Sequence, residues 1–119
     1  MSIKENMLLA EFLEWKEQTD PTERWFGSFR TEEGILHRNT NKEPLLFHYD
    51  WNWLMLVVEK INTMEGGRFT FQIMSMDVKI HDYLKGGLYI DFFSGNTPDQ
   101  LIKSVYEACV EFVKKYNNE

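Results

Sequence analysis

Three histidines, one cysteine and nineteen carboxylates are the residues of this chain that could do metal, nucleophilic or acid–base chemistry. His37, His48 and His81 lie in different segments, and none stands in a His-x₃-His or cysteine-containing spacing that would bring ligands to one metal. His48-Tyr49-Asp50 offers two ligand types together, yet Asp50 is better employed as a helix cap. Cys109 falls in the apolar stripe of an expected helix and reads as a core thiol, not a nucleophile. No Gly-x-Ser-x-Gly elbow occurs, and Glu32-Glu33 read as solvated turn residues rather than an acid–base pair. Gly66-Gly67 and Gly86-Gly87 do not fit a phosphate-cradling loop. No catalytic, cofactor or metal residue is assigned on this basis.

The aromatic residues are the second resource, with four Trp, five Tyr and nine Phe. Trp51 and Trp53 sit two apart on an expected helix, about 200° around its axis, so they cannot both face one layer. Either both are core residues of a three-layer packing, or Trp53 and the neighbouring Leu56 contribute to a partner surface, where tryptophan is enriched among anchors. Met74, Met76, Tyr89 and Phe93 pose the same question on the sheet: their face is covered by a helix or forms an exposed patch. Trp53, Leu56, Tyr89 and Phe93 are therefore the candidate partner surface. The competing reading is a small-molecule-binding or enzymatic domain with a pocket near His48, Asp50 and Trp51.

Periodicity predicts the elements that must carry these residues. A helix is expected over 3–16, where Leu8, Phe12 and Trp15 recur at helical spacing, with a stop near Asp20-Pro21. Residues 21–49 are harder to read. Trp25 to Phe29 alternates like a short strand, Thr31 to Gly34 like a turn, Ile35 to His37 like its partner, and Pro44 to His48 like an extended edge. A second helix is expected over 51–64, capped by Asp50 and ended by Gly66-Gly67, with Trp51, Leu54, Met55, Val58 and Ile61 as its stripe. Residues 68–93 alternate with a period of two in three runs, and Gly86-Gly87 marks a hairpin between the last two. Thr97-Pro98-Asp99-Gln100 then opens a helix over 98–116, striped by Leu101, Val105, Cys109, Phe112 and Tyr116.

The expected fold is α+β: an antiparallel sheet of three or more strands packed by N-terminal, central and C-terminal helices in a two- or three-layer sandwich. The length of 119 residues fits one domain over 1–119. A net charge of −6 with scattered arginines argues against phosphate-backbone binding, so no nucleic-acid partner is favoured. The first fifteen residues lack a signal peptide's unbroken apolar run, and no stretch reaches the length of a membrane span. The location expected is cytoplasmic, without membrane association. A protein partner or self-association remains open.

Two segments, Phe47-His48-Tyr49-Asp50-Trp51-Asn52-Trp53-Leu54-Met55 through Ile61 and Val105-Tyr106-Glu107-Ala108-Cys109 through Asn117, carry a resemblance, as does Leu9-Ala10-Glu11-Phe12. They resemble a family of small uncharacterised proteins encoded in gut-bacterial genomes, often within prophage or mobile-element regions. The chain also looks similar to the phage αβα-sandwich type of small domain. Family members often have proline where this chain has Leu56, so a straighter helix is implied here. The resemblance implies a lineage and carries no established activity. Together these readings point to a prophage or mobile-element accessory protein, a non-enzymatic protein-binding module.

Overall fold

A computed structural model describes residues 3–40, 43–74, 77–93 and 98–119. The order is α1 (Ile3–Phe12), β1 (Lys16–Glu17), β2 (Phe29–Arg30), β3 (Leu36–His37), α2 (Trp51–Thr63), β4 (Phe69–Ile73), β5 (Asp77–Asp82), β6 (Gly87–Phe93) and α3 (Pro98–Asn117). The strands form two three-stranded antiparallel sheets, β1-β2-β3 and β4-β5-β6. The α+β class is thus as expected. Met76, and Thr97 at the expected start of the last helix, lie outside the described residues.

The larger sheet follows the two-residue alternation of the sequence. Phe69, Phe71, Val78 and Ile80 are buried on one face, which α2 and α3 cover. Gln72 and Asp91 are exposed on the other, with Thr70, Lys79 and His81 half-buried beside them and Leu88, opposite His81, 48% exposed. The strand alternation breaks once. Ile80 pairs with Ile90 and His81 with Leu88, which leaves Tyr89 as the extra residue of a β-bulge. The bulge turns Tyr89 toward α3, where its ring meets Phe69 at 4.9 Å and Phe112 at 5.4 Å. The β5–β6 loop is also longer than the paired glycines implied. Asp82 pairs with Gly87, and residues 83–86 form the turn, with Gly86 at φ 70°. Asp82 holds that turn by accepting from the Leu84 and Lys85 amides.

Helix α3 is buried over a wider arc than its expected stripe. Tyr106 and Val110 join Val105, Cys109, Phe112 and Val113 in the interior, because α1 packs on α3 as a further layer. Asn6 of α1 is fully buried in that contact and uses its whole amide. Its Nδ2 donates to the Leu45 carbonyl at 3.1 Å and to His48 Nδ1 at 3.2 Å, while Tyr106 Oη donates to its Oδ1 at 3.0 Å. A buried amide left unpaired would cost about 1–3 kcal/mol, so this set fixes the register of α1 on α3. On α2, Leu54, Val57, Val58 and Ile61 form the buried face. Val57 replaces Trp51 and Met55 in the expected stripe, and Trp51 stays 36% exposed in the first turn. Asp50 caps α2 as expected, accepting from the Asn52 amide at 2.9 Å.

Helix α1 stops earlier than its periodicity suggested. The Trp15 amide donates to the Ala10 carbonyl and the Glu14 amide to the Glu11 carbonyl, with Glu14 at φ 65°. These two bonds and a left-handed residue are a Schellman ending, which satisfies the last carbonyls and turns the chain sharply. Trp15 thereby leaves the helix stripe and packs inward, and β1 follows at once. Trp25-Phe26 does not form a strand. Asp20 accepts from the amide and hydroxyl of Thr22, and successive turns run to Gly27 at φ 84°, so pairing begins only at Phe29. The Thr31–Gly34 turn is as read, with Gly34 at φ 88°. The segment 44–49 is a turn, not an extended edge: Leu45 and Phe47 are fully enclosed, while Tyr49 is exposed.

One ion cluster closes the sheet against the end of α3. Arg68 Nε and Nη2 bind Asp82 at 3.0 and 2.9 Å in a two-pronged pair. Its other N–H groups reach Glu119 at 2.9 and 3.3 Å and Glu65 at 3.1 Å, so all five guanidinium donors are engaged. Glu65, itself left-handed at φ 49°, also accepts from Tyr116 Oη at 2.7 Å. Arg68 beside it holds the Asp82 carboxyl at about 2, against an ordinary 3.8.

Two outcomes test this account. Glu14→Gly removes a left-handed strain and should raise unfolding stability by about 1 kcal/mol in urea titration; an unchanged or lower midpoint would count against the Schellman ending. Arg68→Ala strands the buried Asp82 carboxylate and should lower the urea midpoint far more than Arg38→Ala, whose pair with Glu43 is exposed. Because the folded Asp82 pKa is depressed, its contribution is complete above the ordinary 3.8 and is lost as pH falls through about 2. Equal midpoints for the two arginine variants would refute the role given to Arg68.

Candidate functional site

The early end of α1 sets Trp15 against side chains from three other segments. Its ring stacks on His37 of β3 at 5.2 Å and 24°, and meets Trp53 of α2 edge-on at 5.4 Å and 74°. His37 lies 4.4 Å from Trp53, and Phe47 backs both tryptophans at 5.2 and 5.4 Å. Ring centroids 4.4–5.4 Å apart are in mutual contact. The rings therefore make a closed floor, not a cage with room for an inserted group. Burial among them pushes the His37 imidazole below its usual range.

Above this floor lies a groove of about 540 Å³ between α2 and the β2–β3 hairpin. Its lips are apolar and open: Leu56 is 45% exposed and Ile35 is 56% exposed. Its rim is acidic, with Glu14 from the α1 ending and Glu32 and Glu33 from the hairpin turn. Lys60 is, among the described residues, the single Lys or Arg lining it, and its ammonium donates to the Phe12 carbonyl and sits over the Phe12 ring. Among the described residues, none of the three glutamates makes an ion pair.

A second cleft of similar size has a different character. It is lined by Asp82, Lys85, Tyr89, Lys115 and Glu119 among others. Its polar groups are bonded to one another: Lys115 Nζ donates to the Tyr89 carbonyl, Tyr89 Oη to Glu119, and Asp82 is taken by Arg68. Burial and the Glu119 charge push the Tyr89 phenol up to about 12. This cleft is the outer side of the ion cluster that fixes α3.

The candidate surface residues therefore divide. Trp53 and Leu56 come together in the groove. Tyr89 is only 8% exposed and belongs to the core beneath α3, because the β-bulge points it inward. The Phe93 side chain lies outside the described residues. In the competing site, Asp50 is spent on the α2 cap and His48 accepts from buried Asn6. Trp15, His37, Ile35 and Glu14 join the groove without having been singled out for it. Periodicity places Trp15 in the stripe of α1, and only the left-handed turn at Glu14 redirects it.

Among the described residues, no three His, Cys, Asp or Glu side chains are grouped to hold a metal ion. Cys109 is fully buried, and that burial pushes its thiol pKa well up. No described helix is long and apolar enough to cross a membrane.

Burial lowers the pKa of both His37 and His48. Between those lowered values and the ordinary 6.5, the unfolded chain binds protons that the folded chain does not. Stability is therefore expected to fall as pH drops from 7 through 6.5 towards 5, and His37→Gln/His48→Gln should flatten that slope. Urea midpoints measured across this range check it, and a midpoint that rises on acidification would contradict the assignment. No protein-family model matches this chain, and neither a curated protein nor a solved structure is found to be similar to it.

Proposed function

We propose that this chain is a small cytoplasmic accessory protein of a prophage or mobile element, acting as a non-enzymatic protein-binding module through the α2–hairpin groove. The observation that carries the binding role is the exposure of Leu56 and Ile35 around a rigid aromatic floor. Large side chains held at an open groove bury substantial apolar area at little conformational cost when a partner docks, and tryptophan is enriched at such anchors. The mobile-element origin is supported by the resemblance of the Trp51–Ile61 and Val105–Asn117 segments to prophage-encoded chains. A single free cysteine, fully buried, suits a reducing cytoplasm.

Leu56→Asp is the direct test, because the residue is exposed and its replacement should leave the melting temperature nearly unchanged. The immobilised chain should retain a stoichiometric partner from host cytosol that the Leu56→Asp variant loses. A partner kept equally by both would remove the groove from the reading, and repeated recovery of none would remove the binding role. Phage or integrase genes flanking this one are expected; housekeeping neighbours would dismiss the mobile-element origin.

A further inference from the structure

We infer that the groove takes a basic segment of a separate protein, one in which a lysine or arginine neighbours a large apolar side chain. The inference rests on the groove being the binding face, as proposed above, and adds the chemistry of what binds there. Its ground is charge complementarity. Three carboxylates, Glu14, Glu32 and Glu33, line the groove against one ammonium, Lys60, which is already engaged with the Phe12 carbonyl. Lys16 and Arg30 line an adjoining cleft with Glu14 and Glu32 and do not line the groove itself; Arg30 donates to the Gly34 carbonyl, and among the described residues neither cation makes an ion pair with a glutamate. Carboxylates left free around an apolar floor attract a cation and repel phosphate, which turns the choice away from nucleic acid and towards a cationic peptide.

The floor sets the second requirement. Its rings touch one another, so a bare ammonium finds no cage among them and must bind at the rim. Trp53 and Leu56 are three residues apart on one face of α2 and lie opposite Ile35, which leaves an apolar slot for one or two large side chains. An occupant therefore needs both parts: an apolar anchor over Trp53, Leu56 and Ile35, and an adjacent cation on Glu32 or Glu33.

Short random peptides displayed on phage and selected on the full chain provide the probe. Enriched peptides should carry net positive charge with Lys or Arg beside Leu, Met, Phe or Trp. Synthetic copies should bind Glu32→Lys/Glu33→Lys about tenfold more weakly than the parent chain at low salt, and high salt should weaken binding to the parent and narrow that difference. Both substitutions lie in an exposed turn, so an unchanged melting curve confirms that the variant is folded. Peptides that are neutral or acidic, or that bind the double-lysine variant equally while being lost on Leu56→Asp, would overturn the basic partner and leave the groove standing. Peptides indifferent to Leu56→Asp, or no enrichment at all, would overturn both. Arg24-Trp25-Phe26 of this chain also places a cation beside an exposed ring, Phe26 at 57%. Light scattering should show a monomer; self-association abolished by Leu56→Asp and by Phe26→Asp would replace the separate partner with a second copy.

Discussion

Covering helix α3 is the constraint from which the rest of the architecture follows. Its residues from Ser104 to Val113 are buried over so much of the circumference that no single neighbour could enclose them. Phe112 packs edge-on to Phe69 of the sheet and to Phe12 of α1, so one ring spans the layers on either side. The buried Asn6–Tyr106 bond then sets where α1 lies, and Arg68 with its carboxylates sets where the far end of α3 lies. Apolar area provides the drive, and the two polar sets provide the position. A shifted register would leave a buried amide or carboxylate without partners.

The groove is a by-product of how α1 ends. A helix continuing through residue 16 would have carried Trp15 along its own axis. The left-handed turn at Glu14 instead sends the chain into β1 and delivers Trp15 to Trp53, His37 and Phe47. The small sheet that follows has strands of two residues each, too little for independent stability, and it stands because Phe29 is fully buried in the common core. Its hairpin turn is then the acidic wall of the groove. Strain at one backbone position and burial of one phenylalanine thus place residues from four segments around one opening.

Legibility in the sequence followed the length and regularity of each element. Helix α2, helix α3 and the three long strands were readable because periodicity repeats over enough residues to outvote local exceptions. Residues 21–49 were not, since strands of two residues carry no period, and Trp25-Phe26 is indistinguishable by pattern from a buried strand. The Trp53–Leu56 pair was legible as an oddity: apolar residues outside the buried stripe of α2. Their companions were not, because Trp15, His37 and Ile35 approach them only through turns.

The sequence by itself determined the class of fold, the alternating faces of the large sheet, the Asp50 cap and the absence of any recognised catalytic spacing. These are local properties, fixed by neighbours within a turn or two of chain. Tertiary structure alone decided that Tyr89 faces inward, that Trp51 stays exposed where Val57 is buried, and that Glu14, Glu32 and Glu33 share one rim. A bulge, a left-handed residue and the stacking of α1 on α3 control those outcomes. Each acts between segments far apart in the chain, where periodicity carries no information.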